Sequence, residues 1–435
     1  MTSCKANNVF SCDLIHQSKC HILFLKALHL EGITLQRPSL ESLRRYRDLW
    51  LPLVLVENKK YNQEVKEESN ESDRESVVDL IPPPDIAWLW HCHRLAPYRY
   101  MDYIQATLLT DDIVSGQMSF DSGKMSNAFE RFHRERPFLF QSSVATLGPQ
   151  DDSEYEHLCS YTQALWKKVF PHENFFLENQ DEDDQTSSLN TREETTTSTD
   201  TMLGTFDVLD SCERQSAFLW QVSGERYCDD DFLFEGIENY EKFLNLMKSN
   251  PRPKFLVPTY QIDLMWHTHM LTSITNYHMD CVRITGSIVE HDDSLTDRTE
   301  GEVLDVNFKA TKKLWYKEYG DGYSVRGGMY RGEPPQVYFE KSWSRQPLFD
   351  ITHKKNNVLP DGLTLGHLIG EVGASSILSS SDIPWKSLKN SDAFIPAKPK
   401  SKIKGKNANE QKDGYVFGNG SKCLQMLIID LNLIF

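Results

Sequence analysis

The stretch Trp90-His91-Cys92-His93-Arg94-Leu95 decides the fold, because the chain repeats it as Trp266-His267-Thr268-His269-Met270-Leu271. We call each copy a histidine motif. Equivalent histidines are 267 − 91 = 176 residues apart, and an isoleucine, Ile86 or Ile262, stands four residues before each tryptophan. A repeated motif with repeated flanks indicates a duplicated structural unit.

Two more blocks repeat in the same order. Before the motifs, Glu41-x-Leu43-x-x-Tyr46 matches Glu235-x-Ile237-x-x-Tyr240, and after them a Leu-Trp block at Thr162 matches one at Thr311. Apolar residues in these segments recur at spacings of three and four, which predicts amphipathic helices. The fold class is therefore predicted to be mainly α, with two tandem helical repeat units packed together and followed by a smaller β-rich C-terminal region.

Changes in composition set the predicted boundaries. Polar, low-complexity stretches predict linkers because they cannot bury enough apolar area to offset chain entropy, while short apolar runs between glycine and proline turns predict strands. The predicted segments are repeat unit 1 at 11–176 with a disordered insertion at about 60–77, an acidic, threonine-rich linker at 177–203, repeat unit 2 at 204–325, the β-rich region at 326–385, a lysine-rich linker at 386–412, and a short apolar tail at 413–435 that is compatible with an incomplete last domain.

The composition narrows the class of protein. The 435 residues are 39% hydrophobic and 25% charged, with a formal net charge of −16. That charge disfavours nucleic acids and anionic membranes, which attract basic surfaces, and no run reaches the ~18 apolar residues of a membrane helix. Nine cysteines without a CxxC pair, and an N-terminus without the pattern of a secretory leader, predict a reducing compartment, cytoplasmic or nuclear.

The first interpretation of the histidine motifs is structural. Residues 84–103 are predicted as one helix, since prolines suit a first helical turn. His93 and His269 then face the apolar side, whereas His91 and His267 point roughly 200° away. Each inward histidine would pack the helix joint beside buried aromatic and aliphatic side chains. The predicted structural set is Ile86, Trp90, Tyr100, Ile262, Trp266 and Tyr277.

The second interpretation is a metal site, with zinc or iron as the candidate ion. Histidines two residues apart on a regular helix cannot hold one ion, so the two units would have to face each other and bring His93 and His269 together. Asp263 precedes His267 by four residues and shares its helix face, whereas the first motif has Ala87 there. The predicted ligands are His91, His93, His267, His269 and Asp263, with Asp85 or the His291-Asp292-Asp293 cluster as additions. Catalytic acid–base use of these histidines is a third interpretation.

Two other polar segments have simpler explanations. The loop from His291 to Thr299 lacks EF-hand spacing and is predicted to be a solvated turn with an Asp–Arg pair, a cation site being the alternative. The lysine tract within 386–412 has no interleaved aromatic residues, which favours a flexible linker over an RNA-binding segment. The sequence contains neither a phosphate-loop motif nor a recognisable nucleophile motif.

Five separated segments, spanning roughly residues 10 to 335, resemble landmarks of the glycine-rich domain-containing protein-like family. They are Asp85 to Leu95, Arg214 to Ser223, Pro258 to His269, Glu290 to Thr299 and Gly328 to Gly332. The resemblance implies relatives in plants and fungi, with plant members linked to development and stress responses and some carrying a glycine-rich tail with a proposed RNA-binding motif. It implies no established catalytic residues. This chain differs in having only 22 glycines, no glycine-rich run after Gly332, and Gln261 where the family pattern has an aspartate.

Together these features favour a non-enzymatic intracellular scaffold or adaptor in stress or developmental signalling. It would bind protein or peptide partners rather than membranes or nucleic acids, because the duplicated architecture comes without a recognisable nucleophile. Two alternatives stay open: a metal-binding protein or metal-dependent enzyme built on the histidine motifs and, more weakly, an RNA-binding protein.

Overall fold

A computed structural model shows a mainly helical protein. All of the residues it describes lie in the first of two compact units, Met1–Ala397. The described residues are 9–35, 37–54, 80–104, 106, 138–142, 153–177, 201–222, 225–250 and 255–329. The predicted insertion at 60–77, the linker residues 178–200, the predicted β-rich region from residue 330, the lysine-rich linker and the apolar tail all lie outside them.

Helices follow the predicted order in both halves of the described chain, residues 9–177 (the first half) and 201–329 (the second half). The first half contains α1 (Leu14–Leu30), a 3-10 turn (Ile33–Leu35), α2 (Leu40–Arg44) running into a π-helix (Arg45–Trp50), α3 (Pro84–Arg94), α4 (Pro97–Tyr103) and α5 (Ser153–Val169). The second half contains α6 (Val208–Gln215), α7 (Phe218–Val222), a 3-10 turn (Glu225–Cys228), α8 (Asp230–Ser249), α9 (Tyr260–Thr272), α10 (Ile274–Thr285) and α11 (Val303–Tyr319).

Strands are scarce in the part of the chain that the structure describes. β1 (Met202–Leu203) and β2 (Phe206–Asp207) form one short antiparallel hairpin in front of α6. Among these same residues, no helix is both long and apolar enough to cross a bilayer.

Capping residues explain where several helices begin and end. The Asp13 carboxylate accepts the backbone N–H groups of Ile15 and His16 and so starts α1, while the Thr259 side chain does the same for α9. At the other end, Gly286 stops α10 in the left-handed region, with φ of 85°. Glycine suits that position because a side chain there would be strained.

The single helix predicted over residues 84–103 is wrong, because α3 ends at Arg94 and α4 begins at Pro97. Proline has no N–H for the preceding turn, so it starts a new helix instead of continuing the old one. The second half breaks at the same place, where Ser273 takes an extended conformation and caps α10. Each histidine motif therefore ends at a bend, and the next helix turns back against it.

The helices that carry the histidine motifs, α3 and α9, contact each other and share one hydrophobic core. The Arg94 guanidinium at the end of α3 donates to the Leu271 carbonyl of α9 at 2.6 Å. From α1, the His21 imidazole lies 3.0 Å from the Thr268 hydroxyl of α9. These buried polar contacts fix the position of one half against the other.

A buried pair beneath each histidine helix differs between the halves. In the first half, Arg45 donates to the Asp85 carboxylate at 2.9 Å, and both side chains are at most 5% exposed. The matching positions in the second half are Asn239 and Gln261, and the Asn239 amide donates to Gln261 at 3.1 Å. The replacement of Asp85 by Gln261 at the equivalent position is thus matched by a change of partner from Arg45 to Asn239, which leaves no charge in this pair.

We predict that the two pairs can be exchanged only as pairs. Arg45→Asn or Asp85→Gln alone should lower the free energy of unfolding by about 3–5 kcal/mol, because the remaining charge is buried without its partner. The double variant should lose less than the sum of the two single variants. Urea unfolding of all four proteins gives the coupling energy, and additive losses would refute the prediction.

Candidate functional site at the histidine joint

The second histidine of each motif is fully buried and held by a tyrosine. The Tyr46 hydroxyl lies 2.9 Å from His93 Nδ1, and the Tyr240 hydroxyl lies 3.2 Å from His269 Nδ1. Both histidines have an exposed fraction of 0%. Burial lowers the pKa of His93 to about 3, so this imidazole is neutral at physiological pH.

The tryptophan of each motif is tied to the following helix in the same way. Trp90 Nε1 donates to the Tyr100 hydroxyl at 3.1 Å, and Trp266 Nε1 donates to the Tyr277 hydroxyl at 2.9 Å. The same two tyrosine rings meet the buried histidines edge-on, at centroid distances of 4.9 and 5.2 Å. Ile86 and Ile262 are also fully buried. All six residues of the predicted structural set therefore lie in the core.

The structure does not bring His93 and His269 into contact. His93 stacks on Phe206 at 5.6 Å, whereas His269 meets the edge of Phe10 at 5.0 Å and has Asp280 within 3.2 Å of its Nε2. Each imidazole is thus surrounded by its own rings. A single metal site between these two histidines, as the sequence interpretation required, has no support from this arrangement.

The first histidines of the motifs have unlike surroundings. His91 has rings as neighbours, with Phe24 stacked at 5.4 Å, Trp88 stacked at 5.2 Å and the His21 ring tilted at 5.1 Å. His267 instead faces polar atoms: its Nε2 is 3.0 Å from His291 Nε2 and 3.4 Å from Asp263 Oδ1. The first histidine is therefore surrounded by rings in the first half. In the second half it also lies within 3.4 Å of a carboxylate oxygen and a second imidazole nitrogen.

His291 completes this polar cluster from the loop between α10 and α11. Its Nε2 lies 3.9 Å from Asp263 Oδ1, and its Nδ1 lies 3.0 Å from the Leu95 carbonyl at the end of the first motif. The candidate donor atoms of Asp263, His267 and His291 all lie within 4.8 Å of one another. The structure therefore brings together two of the five predicted metal ligands, Asp263 and His267. The third donor, His291, belongs to the His291-Asp292-Asp293 cluster that was predicted as a source of additional ligands.

Two residues of the loop that carries His291, His291 and Asp293, are turned inward, whereas Asp292, Ser294, Thr296 and Asp297 are exposed, as expected of a solvated turn. His291 is 8% exposed at its side chain, and the Asp293 carboxylate accepts from Ser211, Arg214 and Gln215 of α6. Asp293 is thus paired with an arginine outside the loop, Arg214, whereas the prediction placed the pair within the loop. Arg298, the arginine of the loop, donates to the Tyr260 hydroxyl.

Burial decides the charge of the cluster. It raises the pKa of Asp263 to about 6, although the nearby His291 opposes that rise, and it lowers the pKa of His267 well below the usual histidine range. The imidazole of His267 is therefore neutral at physiological pH, with a ring nitrogen able to serve as a metal ligand or a proton acceptor.

The chain is similar to known proteins of one family. Residues 133–275 match the model of the glycine-rich domain-containing protein-like family. The chain is 32% identical over 332 residues to glycine-rich domain-containing protein 1 of Arabidopsis thaliana and 32% identical over 331 residues to glycine-rich domain-containing protein 2 of the same plant. Each alignment covers 75% of this chain, which spans 34% and 35% of the two relatives. No solved structure matches the chain.

We predict that the tyrosine–histidine bonds are stabilising in both halves. Tyr46→Phe and Tyr240→Phe should each lower the free energy of unfolding by about 1–3 kcal/mol, because a buried imidazole nitrogen loses its hydrogen-bond partner. Tyr316, which is 68% exposed, provides the matched control, and Tyr316→Phe should change stability by less than about 0.5 kcal/mol. Chemical denaturation measures all three, and losses no greater than the control's would contradict the assignment.

Proposed function

We propose that this chain, which belongs to the glycine-rich domain-containing protein-like family, acts as a non-enzymatic scaffold that binds protein or peptide partners. The burial of both histidine motifs supports this role. Their tryptophans and second histidines are at most 4% exposed and already hold tyrosine hydroxyls. Side chains used in this way stabilise a rigid body, which is what a scaffold needs in order to present a fixed surface.

Two tandem helical repeat units, at about 11–176 and 204–325, are part of the proposal. Hydrogen bonds at equivalent positions support them, beginning with the tyrosine–histidine and tryptophan–tyrosine pairs. A further match involves backbone N–H groups just before α3 and α9: Ile81 donates to the Thr162 hydroxyl and Val257 donates to the Thr311 hydroxyl, both at 3.1 Å. Such agreement between polar contacts is expected of a duplicated fold, because each buried donor needs the same partner in both copies.

An exchange of segments between the halves supports one rigid body. Phe10, which precedes α1, stacks on Tyr240 of the second half at 5.0 Å. Phe206, which precedes α6, stacks on His93 of the first half. The Ser11 hydroxyl and backbone N–H both donate to Asp280 at 2.8 Å. Each half thus covers the buried histidine of the other, so separating them would expose both sites.

The first turns of α11 offer a surface for a partner. Val303 and Val306 are 54% and 52% exposed and lie three residues apart, on one face of the helix. Apolar residues on one exposed helix face are typical of contacts with a protein or peptide. The net charge of −16 favours such a partner over a nucleic acid. The setting we propose is the cytoplasm or nucleus, in stress or developmental signalling, as the resemblance to plant members suggests.

We predict that a Val303→Glu/Val306→Glu double variant loses partners while keeping its fold. Loss of two apolar anchors should weaken binding by about tenfold or more, since each is worth on the order of 1 kcal/mol. Quantitative affinity capture from cells, with the full chain as bait, compares the wild type with this variant. Lys312→Glu, about half a turn around the same helix, is the matched control. Equal capture by both variants would place the partner elsewhere, and no protein above the empty-bait background would argue against a scaffold.

A further inference from the structure

We propose that Asp263, His267 and His291 form a binding site for one divalent transition-metal ion, with zinc and iron(II) as the best-suited ions. The site is separate from the surface proposed to bind a partner, because it includes neither Val303 nor Val306 of α11. Two imidazole nitrogens and one carboxylate oxygen suit first-row divalent metals and leave further coordination positions for water or a ligand.

The distances between the three donor atoms agree with a shared ion. Zinc lies about 2.0–2.1 Å from nitrogen and oxygen ligands, so two of its ligands are about 3.0 Å apart at a right angle and about 3.4 Å apart at the tetrahedral angle. The observed separations are 3.0 Å between the two Nε2 atoms, and 3.4 and 3.9 Å from these atoms to Asp263 Oδ1. An ion could therefore reach all three atoms with little movement of the backbone.

The secondary structure holds these atoms in place. Asp263 and His267 are four residues apart on α9, so both project from one face of a regular helix. His291 comes from the loop before α11, and its Nδ1 bonds to the Leu95 carbonyl at 3.0 Å. A carbonyl can only accept, so the proton is on Nδ1 and the lone pair of Nε2 points into the cluster. This outer hydrogen bond is the usual support of a metal-binding histidine.

One ligand atom lacks a hydrogen-bond partner in the described structure. Asp263 Oδ1 is buried and accepts no hydrogen bond, although it lies 3.4 and 3.9 Å from the two imidazole Nε2 atoms. A buried carboxylate oxygen without a donor is costly, and native proteins rarely leave one so. A bound cation would satisfy this oxygen, which the imidazole nitrogens do not do at 3.4 and 3.9 Å.

The first half of the protein serves as an internal comparison. The position equivalent to Asp263 is Ala87, and the histidine equivalent to His267 is His91, which stacks on Phe24 and on Trp88. The same motif on the same kind of helix thus lacks a carboxylate in the first half and has one in the second. A purely structural role for the first histidine would not require Asp263, so the difference points to metal binding in the second half alone.

Metal titration of the full chain tests the proposal. Purified protein is treated with a chelator, and zinc is then added in a calorimeter, with cobalt(II) as a second probe because its visible absorption reports nitrogen and oxygen ligands. We expect one ion per chain. His267→Gln and His291→Gln should each weaken binding by about 100-fold or more, since a side chain bonded to the ion matters at least as much as the group that orients it. His91→Gln, at the equivalent first-half position, should leave affinity unchanged.

Asp263→Ala keeps the test valid if a histidine variant fails to fold. It copies Ala87, which the fold accepts on α3, so circular dichroism should match the wild type. Zinc should raise the melting temperature of the wild type and leave that of Asp263→Ala unchanged. Substoichiometric binding by the wild type, or full binding and the same thermal shift in Asp263→Ala, would overturn the proposal.

Discussion

The hydrogen bond between a tyrosine and the second histidine of each motif is the constraint on which the rest of the structure depends. A neutral imidazole with no exposed surface needs a polar partner, and the helix before each motif supplies it through Tyr46 or Tyr240. The motif's tryptophan then bonds to a tyrosine on the following helix. Three consecutive helices are thereby held in one geometry by two polar contacts, and apolar packing fills the space around them.

Next to each tyrosine–histidine bond lies a second buried pair, which is Arg45–Asp85 in the first half and Asn239–Gln261 in the second. A guanidinium has five N–H donors, so Arg45 requires acceptors beyond Asp85, and it finds them in the carbonyls of Asn174 and Phe175 at 2.6 Å. These two hydrogen bonds hold the segment after α5 against the π-helix that carries Arg45. The neutral pair in the second half needs fewer partners, and the Gln261 amide is satisfied by the Phe232 carbonyl at 2.9 Å. A buried ion pair and an amide pair thus occupy equivalent positions. The ion pair needs more hydrogen-bond acceptors from neighbouring segments than the amide pair does.

The sequence predicted the helices and the inward direction of His93 and His269, because both follow from periodicity along a single segment. It did not predict the break before Pro97, since Tyr100 falls on the same stripe whether or not the helix continues. The sequence also did not predict contacts between residues that are far apart in the chain. His291 meets Leu95 across 196 residues, and Phe10 covers His269 from the far end of the chain. The spacing of residues within one segment does not reveal such pairs. One signal in the sequence was available, because an aromatic residue, Phe10 or Phe206, precedes the first helix of each half.

The two motifs share the same buried contacts around the second histidine and the tryptophan, but the surroundings of the first histidine differ. Because the second histidine, the tryptophan and their tyrosines carry the packing in both halves, the first histidine is under less constraint. In the first half rings have closed around it, and in the second half it lies against a carboxylate and a second imidazole. That second imidazole is held by a carbonyl from the first half. The first half therefore contributes to the polar cluster in the second half by fixing the ring of His291.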